Sequence, residues 1–399
     1  MEHTPPSETR TLERPMSTPS PKRVLFALAI GAFGIGTTEF TPMGLLPVIA
    51  DGVGASIPSA GMLITAYAIG VMVGAPIMTL LFSRFGKRAA LMMLMGIFTV
   101  GNLLSAFAPD YYTLLASRLI TSLNHGAFFG LGAVVAASVV PKDKQASAVA
   151  TMFMGLTIAN IGGVPAATWL GQQVGWRMAF AGTAVLGVVA ITALWYALPK
   201  GERGQVPHVR KELAVIARPR VLLAMATTVL GAGAMFTLYT YVAPVLAELT
   251  GAGDGFVTLG LVLIGVGFTL GNSLGGKLAD WSLDGAARIF LGTLAVIMLL
   301  MPLVLGSHVG AALALLVWGV FTFAVVPPLQ MRVMTAAIEA PGLASSINVG
   351  AFNLGNALGA ALGGAVISLN LGYAAVPMAG GLLAAAGLLL VWLGGRSKA

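Results

Sequence analysis

Twelve predominantly apolar segments, each near or above the roughly 20 residues a helix needs to cross a hydrocarbon core of about 30 Å, divide this chain almost from end to end. They cover 24–50, 59–82, 89–108, 112–140, 146–170, 176–198, 221–247, 256–279, 287–305, 310–338, 343–369 and 373–393. Soluble domains carry about 25% charged residues, whereas Asp, Glu, Lys and Arg make up 9% of this chain and hydrophobic residues 57%. So few charges cannot clothe a core of 399 residues, and a lipid bilayer must cover the rest. The segments therefore predict an all-α membrane protein with twelve transmembrane helices.

Residues 1–21 are rich in Pro, Ser, Thr and Glu, contain no apolar run, and read as a disordered cytoplasmic tail. The first apolar segment is too long for a signal-peptide core and reads as a retained span. Lys and Arg set the orientation. With the N-terminus inside, the inner connections hold Arg84, Lys87, Arg88, Lys142, Lys144, Lys200, Arg203, Arg210, Lys211, Arg218 and Arg220, then Lys277, Arg288, Arg332, Arg396 and Lys398. The outer connections hold Asp51, Asp110, Glu248 and Asp254, with Arg177 as their one basic residue. Both termini are thus expected in the cytoplasm, and the net charge of +8 reads as a topology signal. No basic stripe with interleaved aromatics suggests nucleic acid as a partner.

The connection 199–220 is the longest polar stretch after the tail and divides the spans six and six, so that 22–198 and 221–399 are expected to form two six-helix bundles joined by a cytoplasmic linker. The halves also repeat. Gly70 and Gly74 match Gly267 and Gly271 at one constant offset, and Pro47 falls on Pro244 at the same offset. A parallel repeat of this kind places a binding site between the halves near the membrane midplane. Small residues four apart, as at Gly126 and Gly130 or Gly355 and Gly359, allow the close backbone approach on which helix association in lipid relies.

At the inner end of the eighth span, Gly276-Lys277-Leu278-Ala279-Asp280 is similar to the Gly-x-x-x-Asp loop signature of the major facilitator superfamily. The first-half copy keeps Arg84, Gly86, Lys87 and Arg88 but has Thr79 and Ser83 in place of glycine and aspartate, a departure from the family's charge latch on that loop. Thr37-Thr38-Glu39-Phe40, Met43-Gly44-Leu45-Leu46-Pro47 and Asn124-His125-Gly126-Ala127-Phe128-Phe129-Gly130 resemble the bacterial drug:proton antiporters, closest to their arabinose and sugar efflux branch. The stretch from Gly155 to Pro165, with Gly163-Val164-Pro165, looks like a relaxed antiporter motif. The resemblance covers nearly all the chain after the tail. It implies the major facilitator fold, an efflux transporter in the bacterial inner membrane, protons and a small molecule as partners, and action as a monomer.

Among the acidic residues only Glu39 sits well inside an apolar segment. A charged carboxylate there costs about 2.5 to 3.5 kcal/mol on insertion scales, so it must face a cavity, find a partner or take a proton. Arg118 and His125 lie on roughly one face of the fourth span, and at about 1.5 Å per residue His125 is about 20 Å deep, Glu39 about 17 Å and Arg118 about 9 Å. Glu39 and His125 can share or relay a proton while Arg118 biases the carboxylate. The alternatives are a static helix-helix ion pair for Glu39, a neutral hydrogen-bonded imidazole for His125 and outward snorkelling for Arg118.

Pro42 and Pro47 interrupt the first span and Pro244 the seventh, and broken helices at equivalent places point to the substrate path. Thr38, Asn124, Phe236, Tyr239, Tyr241, Trp318, Asn353 and Asn356 are candidates for the cavity wall, although the aromatics also fit simple packing and the asparagines interhelical bonding. No phosphate loop or nucleotide-binding domain is present, so ATP does not drive the chain. No cysteine exists, and four scattered histidines offer no metal or cofactor site. An enzyme acting on lipid-linked substrates would want several acids or histidines clustered at one interface, which this pattern does not supply. The reading is a proton-coupled exporter of sugar-like or other small polar solutes, with a multidrug or phenicol exporter, or an uptake symporter, as alternatives on the same fold.

Overall fold

A computed structural model describes residues 20–55, 57–199 and 208–396. The tail 1–19 and the linker stretch 200–207, with Lys200 and Arg203, lie outside the described residues, as does Lys398. Twelve helices are long and apolar enough to cross a membrane: Pro21–Gly44, Ser59–Phe82, Lys87–Ala106, Tyr111–Ser138, Lys142–Val174, Trp176–Ala197, Pro219–Tyr239, Gly255–Trp281, Leu283–Leu303, His308–Ala336, Pro341–Ser368 and Ala375–Gly394. They are called the first to twelfth spans below.

Proline decides where the spans break. Pro47 and Pro244 lack the amide donor and crowd the carbonyl four residues back. The first span accordingly stops at Gly44 and resumes as Leu46–Gly52, while the seventh stops at Tyr239 and resumes as Val242–Thr250. Pro327 and Pro328 break the tenth in the same way, between His308–Ala324 and Val326–Ala336. The fifth span widens into a π-helical turn at Ala159–Gly163 before Pro165 begins its last segment.

The helices form two bundles of six with matching internal order. The second span packs on the fourth as the eighth does on the tenth, the third on the sixth as the ninth on the twelfth, and the first on the fifth as the seventh on the eleventh. Across the halves, the second span meets the eleventh and the eighth meets the fifth. Shifting any of these pairs by six spans gives another of them, which is the repeat read from Gly70, Gly74 and Pro47.

Glycine lets the second bundle close tightly. Gly267, Gly271 and Gly275 rest on the backbone carbonyls of Leu316, Val320 and Ala324, and Gly355, Gly359 and Gly363 on those of Val229, Gly233 and Thr237. A Cβ at any of the six would run into fixed backbone. Substituting Gly271 by Ala should therefore destabilise the protein by about 1–3 kcal/mol through overpacking. Gly96→Ala, whose Cβ would meet nothing within 4 Å, should be neutral. Thermal unfolding of the two purified variants checks the contrast.

Candidate functional site

Glu39 stands about one turn before the break at Gly44, so its side chain projects where the first span stops packing as a regular helix. Its Oε2 lies 4.0 Å from Nδ1 of His125 on the fourth span. The same nitrogen is 3.2 Å from the Tyr67 hydroxyl on the second span, and the imidazole packs against Phe129 at 5.1 Å between centroids. The Glu39 side chain keeps 15% of its surface open and that of His125 6%, so the pair forms part of a wall and is not sealed in a core.

Arg118 does not snorkel. Its side chain is buried among the first, second and sixth spans, where Nη1 donates to Thr38 Oγ1 at 3.2 Å and Nη2 to the Thr38 carbonyl at 3.0 Å. The guanidinium lies 4.4 Å from the Tyr67 ring centre and 5.5 Å from that of Phe180. Among the described residues no ion pair within 4.0 Å joins it to Glu39; it grips the neighbouring residue, Thr38. Thr38 passes the contact on, donating to Asn102 Oδ1 at 2.5 Å, an oxygen that also accepts from Thr183 at 3.0 Å. Tyr67 and Asn102 therefore belong to the site, and the sequence reading missed both. Each is a polar side chain inside an otherwise apolar span, which is the signal that finds them.

A cavity between the halves has Glu39, Phe40, His125, Phe129, Phe153 and Asn160 on one side. Phe236, Tyr239, Phe268, Phe323, Phe352, Asn353 and Asn356 stand on the other. Eight of its lining residues are Phe or Tyr, so the wall is an aromatic cage with a few polar points. Four expected wall residues lie elsewhere. Trp318 is fully buried behind Tyr239, stacked at 6.4 Å. Tyr241 turns away and donates to the Ala360 carbonyl at 3.0 Å, because residues two apart on a helix face opposite sides and the seventh span breaks between them. Thr38 is spent on Arg118 and Asn102, and Asn124 is buried outside the lining.

The loop motifs join the halves at one end of the bundle. Gly276 sits against Ser147 and Ala150 of the fifth span, and the Asp280 carboxylate accepts the backbone N–H groups of Ala146 at 2.7 Å and Ser147 at 3.1 Å. These donors open the Gln145–Ile158 helix, where the positive end of the helix dipole favours an anion. Asn272 adds a bond to the Ala150 carbonyl at 2.6 Å. The equivalent contact of the first half is uncharged: Ser83 bonds its own helix at Leu80, and Thr79 bonds Ser346 of the eleventh span at 2.6 Å. Arg84 and Arg88 lie over Phe85 and Trp195, and Gly86 caps the third span, whose first residue is Lys87.

The antiporter-like stretch packs on the first span close to Glu39. Gly155 rests on the Ala29 carbonyl and Gly163 on Thr37 and Phe33, with the π-helical turn between them. Such turns concentrate at functional sites, and this one reshapes the fifth span beside the cavity.

The sequence model of the Major Facilitator Superfamily matches residues 28–347. Inner membrane transport protein YdhP of Escherichia coli (strain K12) is 68% identical over 374 residues, 94% of this chain and 96% of that protein. A chloramphenicol resistance protein of Streptomyces lividans is 32% identical over 92% of this chain and 95% of its own. Among solved structures, the proton:xylose symporter XylE bound to 6-bromo-6-deoxy-D-glucose superimposes with a TM-score of 0.71 at 15% identity, over 94% of this chain and 95% of that one.

Because the chain contains no cysteine, single cysteines report the cavity directly. Phe236→Cys and Asn356→Cys should react with a small water-soluble maleimide and be protected by a bound solute, whereas Trp318→Cys and Tyr241→Cys should stay unreactive in the folded protein.

Proposed function

Because the chain belongs to the Major Facilitator Superfamily, we propose that it is a proton-coupled exporter of the bacterial inner membrane, working by alternating access around the cavity at Glu39. The observation that carries this reading is the lone deep carboxyl 4.0 Å from an imidazole, on the wall of a cavity shared by both halves. An antiporter needs a site that holds a proton in one state and gives it up when solute binds, so the two binding free energies must be linked with negative sign. Glu39 with His125 supplies the proton site. Arg118, anchored on Thr38, supplies a fixed positive charge that stabilises the carboxylate once the proton leaves.

The cavity favours a solute with an aromatic or apolar body and one or two hydrogen-bonding groups. Few polar groups are left free for a sugar: Asn348 is committed to Gln330, and the Nδ2 donors of Asn160 and Asn353 are bonded to carbonyls of their own helices. What remains is mostly ring surface, which supports a phenicol-type solute of a drug:proton exporter over a sugar; the similarity to a chloramphenicol resistance protein is in line with this reading. Uptake of phenicols, sugars and cationic dyes into everted vesicles under an imposed pH gradient tests substrate and direction together.

Basic residues at the Asp280 end support a topology with that end, the linker and both termini in the cytoplasm. Asp280 then closes the inner gate, and this conformation corresponds to access from outside. Asp280→Asn removes the charge facing the helix N-terminus, and the inward to outward ratio should shift about tenfold for each 1.4 kcal/mol of lost differential contact. Accessibility labelling from both sides of the membrane measures it, and unchanged labelling sinks the gate. Glu39→Gln keeps size and hydrogen-bonding capacity but cannot release a proton. In proteoliposomes it should lose accumulation driven by a pH gradient while keeping downhill exchange, and His125→Ala should be less severe. Full accumulation by Glu39→Gln would remove that residue from the mechanism.

A further inference from the structure

Tyr67 of the second span touches both His125 and Arg118, yet the proton site described above gives it no task. Its hydroxyl is 3.2 Å from His125 Nδ1, while Glu39 Oε2 stands 4.0 Å from that same nitrogen, beyond hydrogen-bond range. One nitrogen thus faces two partners, and only the phenol reaches it. A neutral imidazole carries its proton on one nitrogen and accepts at the other, so the bond made at Nδ1 decides where the proton sits. Tyr67 is 3% exposed, and among the described residues its hydroxyl has no other hydrogen-bond partner. A phenol O–H that failed to donate to Nδ1 would therefore lie buried and unpaired, at a cost. The Arg118 guanidinium, 4.4 Å from the Tyr67 ring centre, draws on the ring and makes the phenol a stronger donor.

Nδ1 then accepts and the imidazole proton sits on Nε2, which among the described residues has no acceptor in the protein, on a side chain that lines the cavity. We infer that Tyr67 is a positioning residue that divides the work of Glu39 and His125: by holding Nδ1 it keeps the imidazole from bonding the carboxylate and leaves Nε2–H as a donor to an acceptor oxygen of the solute, such as a carbonyl, nitro or hydroxyl group. This rests on the proposed reading of the cavity and assigns its two groups separate tasks, the proton to Glu39 and the solute to His125. Without the phenol, Nδ1–H would donate to the carboxylate, because a charge-assisted bond is about twice as strong as a neutral one. The imidazole would then turn its one proton away from the solute. Tyr111 provides the comparison, since it joins the same two spans by donating to the Ser59 carbonyl at 2.9 Å but sits about 21 Å along the fourth span from His125.

Nitrogen NMR of the purified full-length protein with isotopically labelled histidine distinguishes the two tautomers, and His125→Gln identifies the resonances. In a medium alkaline enough to ionise the carboxyl, the wild type and Tyr111→Phe should both favour Nε2–H at least about tenfold. Tyr67→Phe should carry mainly Nδ1–H, and adding Glu39→Gln to it, which removes the charge from the acceptor, should lower that share again. Nδ1–H as the main form of the wild type, or a Tyr67→Phe spectrum equal to that of the wild type, overturns the proposal; the first criterion holds even if Tyr67→Phe fails to fold. Chloramphenicol should move the wild-type Nε2 resonance. If it protects Phe236→Cys from maleimide without moving that resonance, the donor role falls. Absence of both effects, with the tautomers as expected, places the failure in the phenicol reading of the cavity and not in Tyr67.

Discussion

Helices surrounded by lipid gain nothing from hiding apolar surface against one another, so they hold together only where their backbones come close enough for dense van der Waals contact. In this protein that contact is made by glycine. Each of two ladders in the second bundle sets three successive glycines against three successive carbonyls, Gly267, Gly271 and Gly275 on the tenth span and Gly355, Gly359 and Gly363 on the seventh. These ladders fix the eighth span on the tenth and the eleventh on the seventh. The cavity lies between the halves, with Glu39 and Phe236 on its wall shortly before the breaks that end the regular helices of the first and seventh spans.

The two ends of that shared surface are held by different chemistry. The eighth and fifth spans are joined by Asp280 on a helix N-terminus, a charge-assisted contact, while the second and eleventh rely on the Thr79 to Ser346 hydroxyl bond. The constant offset that aligns the halves puts Ser83 where Asp280 stands. This asymmetry of the latch parallels that of the centre, where Glu39 has Phe236 as its counterpart. One half carries the carboxyl of the cavity, and the other carries the charge of the contact between the fifth and eighth spans.

Much of this was legible in the sequence because a bilayer imposes few solutions. Spans of about 20 apolar residues, prolines that break helices and a carboxyl with no business in hydrocarbon each have one physical meaning. The fold, the broken spans and the shared depth of Glu39 and His125 followed from them. Side-chain direction did not. Tyr239 and Tyr241 are close in sequence and face opposite ways, and Trp318 lies one layer behind the cavity. The grip of Arg118 on Thr38, in place of Glu39 itself, uses a carbonyl that Pro42, four residues on and lacking an N–H, leaves without its helical donor, a signal that was present in the sequence and not read.

The central claim is that the mobile proton resides on Glu39. Infrared difference spectroscopy of the reconstituted protein, recorded as the pH is lowered, reads protonated carboxyl groups without requiring the solute to be known. The account predicts a carboxyl C=O band in a weakly hydrated environment that appears on acidification of the wild type, persists in Asp280→Asn and is absent from Glu39→Gln. The same band, undiminished in Glu39→Gln, would contradict it.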